Sequence, residues 1–154
     1  MKTESSLVGI AGEYYVAAEL SIRGFIAAVT LRNSRGLDII ASKSDGSKQI
    51  SIQVKTNSGG AAKWILDKKA ETFVSDSHYY VFVALKTKMQ RPDFYIVPSK
   101  IVGEYVANAH KNWLLQPSKN GSPHNDNPVR NFFDKTGTYK EKWELLTGVA
   151  PSLN

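Results

Sequence analysis

A chain of 154 residues, 42% of them hydrophobic, is long enough to bury one sizeable core and short for two, so a single domain over 1-154 is expected. The absence of cysteine excludes disulfides and thiolate metal sites and fits a reducing compartment, which makes the cytoplasm the expected location. A formal net charge of +6 favours an anionic partner such as nucleic acid, while no apolar run approaches bilayer length and no signal-type segment opens the chain, so no membrane association is expected.

Ser5 or Ser6 is placed to cap a helix that runs to about Arg23 and stops at Gly24. Val8, Ala11, Tyr15, Ala18 and Ile22 recur at helical spacing and predict its buried stripe. Phe25 to Leu31 is apolar without interruption and reads as a buried strand. Leu37 to Ser42 predicts the next strand, Ser44-Asp45-Gly46-Ser47 a hairpin turn, and Gln49 to Thr56 the antiparallel return.

The loop Asn57 to Ala62 is built from small residues, and a short helix is expected around Asp67 to Val74. His78 to Leu85 and Phe94 to Val97 read as strands separated by Gln90-Arg91-Pro92-Asp93. Pro98-Ser99 opens a helix to about Leu115, with Ile101, Val102, Tyr105, Val106 and Ala109 as its apolar face. Gln116 to Asn131, rich in Pro, Asn, Ser and Gly, predicts a long loop. Trp143, Leu145 and Leu146 suggest a last amphipathic piece that docks back on the fold. A core over about 5-116 followed by a C-terminal extension over 117-154 gives a mixed α/β sandwich.

The hairpin carries the chemistry. Alternation along the returning strand puts Ile50, Ile52 and Val54 on one face and Gln49, Ser51, Gln53 and Lys55 on the other. An amide oxygen beside an ammonium, with the carboxylate of Asp38 on the neighbouring arm, is a set suited to metal-assisted phosphodiester chemistry. Asp38 is also open to a plainer role, as a strand-start aspartate that accepts from a turn amide. Gln53 and Lys55 are equally open to being solvent-facing strand residues.

Asp38, the hairpin and Gln53-Val54-Lys55 resemble the core of the PD-(D/E)XK nuclease superfamily, in the Gln-x-Lys form seen in Mrr-type restriction endonucleases. Gly12-Glu13, Ala18-Glu19-Leu20 and Gly24-Phe25 are similar to the opening helix of archaeal Holliday-junction resolvases, with Glu13 as the matching acid. The likeness covers roughly Ser5 to Asn57. It implies a restriction-endonuclease-like three-layer sandwich with an αβββαβ core around a mixed sheet. It also implies a DNA endonuclease with Mg2+ or Mn2+ held by Asp38, Gln53 and Glu13 (Glu19 as the fallback), with Lys55 beside the scissile phosphate. A homodimer is expected, because one small subunit carries one site and a duplex has two strands.

For DNA contact, Arg32 and Arg35 flank the approach to Asp38, while Lys63, Trp64, Lys68 and Lys69 follow the hairpin; Trp64 suits a core anchor as well as a sugar or base contact. The three histidines, His78, His110 and His124, share no metal-ligand spacing. Because Gln53 stands where the commoner pattern has an acid, the alternative is a nuclease-fold module without turnover that binds nucleic acid or a protein partner.

Overall fold

The computed structural model describes residues 3–31, 36–87 and 90–147. The chain opens with helix α1 (Ser5–Ile22), followed by strands β1 (Phe25–Val29), β2 (Ile39–Lys43) and β3 (Gln49–Asn57). Strand β4 (Lys63–Asp67) and a 3-10 turn (Lys68–Glu71) lead to β5 (His78–Ala84) and β6 (Asp93–Pro98). Helix α2 (Ser99–Leu115), strand β7 (Val129–Phe133) and the short helix α3 (Glu144–Thr147) complete the order.

Among the described residues, five strands form a mixed sheet in the order β1-β2-β3-β5-β6. Only the β3–β5 pair is parallel; the others are antiparallel. Strand β5, between β3 and β6, is buried along all its length, and its alternation feeds two cores. Tyr79, Val81 and Val83 join Val16 and Leu20 of α1 and Trp143 and Leu146 of the C-terminal segment. Tyr80, Phe82 and Ala84 join Val102 and Val106 of α2, Trp64 and Leu66 of β4, and Phe132 of β7. The result is an α/β sandwich with a layer on each face of the sheet. No helix of the described residues is long and apolar enough to cross a membrane.

Several expectations are corrected. Helix α1 has Glu4 at its N-cap with no side-chain cap bond, so neither Ser5 nor Ser6 closes it. At the other end the amides of Arg23 and Gly24 bond to Leu20 and Ser21, and Gly24 takes the left-handed φ of 79°. The buried stripe is Val8, Gly12, Val16 and Leu20, whereas Ile22 is 80% exposed. Close approach decides this rotation: at Gly12 the helix backbone sits directly on Thr56 of β3, a contact that any Cβ would block. Strand β1 is shorter than predicted and largely exposed, because it is the edge of the sheet with β2 as its neighbour.

The crossover from β3 to the parallel β5 is a strand and a 3-10 turn, not the helix that an αβββαβ core requires. Strand β4 pairs antiparallel with β7 in a separate two-stranded ribbon that covers the α2 side of the sheet. The predicted loop therefore ends at Pro128, and the residues expected as an extension supply half of that ribbon and part of the α1 core. On α2 the buried residues are Ser99, Val102, Gly103 and Val106, while Ala109 faces outward and Ile101 and Tyr105 are about a third exposed. In α3, Leu146 is buried and Leu145 is exposed.

Candidate active site

The β2–β3 ladder sets the geometry. Ile39 pairs with Ile52, so Asp38 and Gln53 stand one step further along, across from each other on the face opposite α1. The Asp38 amide donates to the Ile52 carbonyl at 2.9 Å. Its carboxylate Oδ2 accepts the Val54 amide at 2.7 Å, in the manner of the plainer role, which also fixes the carboxyl group against β3. Burial raises the Asp38 pKa above the usual carboxylate value; the Val54 bond and the charge of Lys55 pull it back only in part.

The parallel β3–β5 register brings Ser51 beside His78, Gln53 beside Tyr80 and Lys55 beside Phe82. Tyr80 is fully buried, and its pKa is pushed up to about 12, first by burial and then by the Asp38 charge. Ser51 Oγ and His78 Nδ1 lie 2.9 Å apart. Asp38, Lys55 and Tyr80 thus form one electrostatic neighbourhood with Gln53 in its midst.

Gln53 and Lys55, both half-buried, line a cavity of about 550 Å3. The β4 segment and the 3-10 turn roof it with Leu66, Asp67, Lys69, Ala70, Thr72 and Phe73. Gly36 completes the wall: a Cβ there would lie 3.6 Å from the Phe73 ring and 3.9 Å from Gln53 Oε1, and its φ of 72° is one that glycine adopts without strain. Asp67 is turned partly inward on itself, accepting the Lys69 amide at 2.9 Å. The cavity therefore sets Gln53 and Lys55 of β3 against a roof that is apolar at Leu66, Ala70 and Phe73 and carries a second ammonium group at Lys69.

Glu13 is half-buried on α1, next to Gly12 and so near the end of β3, but the helix packs on the Ile52 and Val54 face of the sheet. Neither Glu13 nor Asp38 is among the residues lining the cavity; Asp38 stands beside it through its pairing with Gln53. Glu19, the fallback, is held elsewhere: it bonds Arg23 at 2.6 Å and Arg91 at 2.9 Å, and chiefly the Arg91 bond keeps its pKa low. Of the three expected metal-holding side chains, Asp38 and Gln53 stand across one ladder, and Glu13 is carried by the helix that packs on the other face of β3. No cluster of three His, Cys, Asp or Glu occurs among the described residues. One carboxylate and one amide match a Mg2+ or Mn2+ ion only when substrate phosphate and water supply its remaining ligands, which is a regular pattern for Mg2+.

Of the residues expected to touch DNA, Arg35 (like Arg32) lies outside the described residues. Trp64 is corrected: it is 2% exposed, its indole donates to the Val83 carbonyl at 3.1 Å, and it packs on Phe82 and Tyr95, so it anchors β4 and offers no face to a base. Lys63 is exposed at the start of β4 with its ammonium over the Phe133 ring. Lys68 is exposed in the 3-10 turn, and the neighbouring Lys69 is the one that lines the cavity. Tyr80, Thr72 and Phe73 escaped the sequence reading; strand alternation from His78 marks the face of Tyr80, but only the β3–β5 pairing sets it beside Gln53. Comparison with protein-family models, with curated proteins and with solved structures gave no match.

Proposed function

We propose that the chain is a metal-dependent deoxyribonuclease of the PD-(D/E)XK type, with a restriction-endonuclease-like core in which a β-strand crossover replaces the usual helix. The observation that carries the reading is the pairing of Asp38 with Gln53 across one ladder, with Lys55 two residues further along the same face at the wall of a roofed cavity. A stability role alone does not call for a carboxylate, an amide and an ammonium on one face, since each carries a burial cost that apolar residues would avoid.

Asp38 and Gln53 would hold Mg2+ or Mn2+ together with the substrate phosphate. Such an ion, when bound, polarises the phosphoryl oxygens and acidifies water at neutral pH. Lys55 brings positive charge to the oxygens that gain charge as the phosphorus is attacked, and it favours the ionised form of Asp38. Lys69 adds a second cation on the opposite wall. Leu66, Ala70 and Phe73 thin the water around the site, which strengthens each of these interactions. A homodimer would serve where both strands of a duplex are cut, and a cytoplasmic place agrees with the cysteine-free composition.

The test is cleavage of plasmid, linear and single-stranded DNA by the purified chain with Mg2+ or Mn2+, beside Lys55→Ala and Asp38→Ala. Metal-dependent cleavage by the wild type and none by the variants is expected; equal cleavage by all three proteins would refute the reading. A second reading, a nuclease-fold module that binds DNA without turnover, is favoured by the single carboxylate among the two oxygen donors. Salt-sensitive DNA binding with no cleavage of any substrate would select it.

A further inference from the structure

The cavity beside Gln53 and Lys55 is the first of three hollows that share a lining residue from one to the next. Lys55 also lines a second one, of about 240 Å3, that passes along Thr56, Asn57 and Lys63. Lys63 in turn lines a third, of about 500 Å3, between the β4–β7 ribbon and the C-terminal half of α2, where Phe133 and Trp113 supply aromatic surface. Lysines 69, 55 and 63 therefore line a row of neighbouring hollows, with Lys55 and Lys63 each lining two of them.

We infer that this row of hollows holds an unpaired DNA strand, whose backbone tracks Lys69, Lys55 and Lys63 and one of whose nucleotides enters the first hollow with its base against Phe73. The inference rests on the nuclease reading above for its substrate and adds the strand state. Recess is the first ground: Gln53 and Lys55 are half-buried beneath β4 and the 3-10 turn, a setting that a flexible single strand enters more readily than the stiff surface of a stacked duplex. A strand that is already unpaired reaches them without the cost of extruding a nucleotide. Lining is the second: ammonium groups alternating with an apolar and aromatic wall are the surface that single strands select, since phosphates take the cations and every base has a face to stack. Phe73 is 43% exposed, lines the first hollow and meets His78 edge to face with ring centres 4.8 Å apart. The carboxylate in the first hollow, Asp67, is engaged by the Lys69 amide.

The experiment is fluorescence anisotropy in EDTA, where no cleavage occurs, with labelled oligodeoxythymidylate and a blunt duplex of equal length as the probes. The full chain is expected to bind the single strand at least about tenfold more tightly than the duplex. Lys63→Ala and Phe73→Leu are each expected to weaken single-strand binding by roughly five- to tenfold, the scale of one lost stacking or phosphate contact, with a smaller loss on the duplex. Equal or tighter binding of the duplex would overturn the inference, as would single-strand binding that neither variant changes. Lys63 is exposed on β4, so its variant folds even if Phe73→Leu does not. Cleavage confined to duplex DNA would sink the inference and spare the nuclease reading. Single-strand binding that depends on Lys63, with no cleavage under any metal, would do the reverse.

Discussion

Gly12→Ala tests the contact that seats α1 on the sheet. A Cβ at this position would lie 1.8 Å from Thr56 Oγ1, 3.0 Å from its Cβ and 3.1 Å from its Cγ2. Threonine in a strand is stiff at χ1, so rotation exchanges one clashing atom for another and the helix must lift instead. Over-packing of this kind costs about 3 kcal/mol at the upper end of its range. Alanine gains about 1 kcal/mol over glycine in helix propensity, which leaves a net loss of about 2 kcal/mol. For a chain of this length that is a fall of about 4–8 °C in Tm. Thr56→Ala alone is expected within about 1 kcal/mol of wild type, because the hydroxyl it removes is buried without a partner among the described residues. In that background Gly12→Ala meets only the Cβ, and its cost should nearly vanish, giving a coupling of about 2 kcal/mol in a denaturant double-mutant cycle. A neutral Gly12→Ala, or the same loss in both backgrounds, would refute the close approach of α1 to β3.

Three further variants test the site and the core. Asp38→Asn keeps an oxygen for the Val54 amide and removes a charge that burial disfavours, so it should be more stable than wild type at neutral pH. Because the folded pKa is raised, that advantage should shrink as pH falls and Asp38 takes up its proton; a Tm difference that does not depend on pH would refute this. Metal-dependent cleavage by the same variant should be lost. Burial lowers the His78 pKa, so the unfolded chain takes up the proton first and stability should decline as pH drops below about 6.5, with a flatter profile in His78→Gln when denaturation midpoints are compared. Trp143 is 5% exposed, packs on Phe94 with ring centres 5.3 Å apart and donates to Glu141 at 3.0 Å; Trp143→Ala should cost about 3–5 kcal/mol in urea denaturation, whereas a peripheral extension would lose under about 1 kcal/mol.

The elements built on strong local patterns were legible in the sequence. Gly24 after an apolar helical run, Gly46 in a polar tetrapeptide, and the alternation from Gln49 to Lys55 fix α1, the hairpin and the two faces of β3 within a residue or two. The same alternation put Gln53 and Lys55 on one face, and the hairpin put Asp38 opposite them, because antiparallel register is set by the turn itself. Strand β4 was not legible: Lys63-Trp64-Ile65-Leu66-Asp67 does alternate, but five residues after a small-residue loop carry little periodic signal, and their partner β7 lies more than 60 positions away in sequence.

What the sequence by itself determined is therefore local: which residues are helix, which are hairpin, and that one acid, one amide and one amine share a face. Tertiary structure alone decided what surrounds them. Parallel pairing with β5 set Tyr80 beside Gln53, and the β4–β7 ribbon closed a roof over the polar face. It likewise turned Trp64 into the core and held Glu19 among arginines. The physical reason is range. Backbone periodicity and turn chemistry act over a few residues, while burial and ion pairing act between segments that share no sequence signal until the chain has closed on itself.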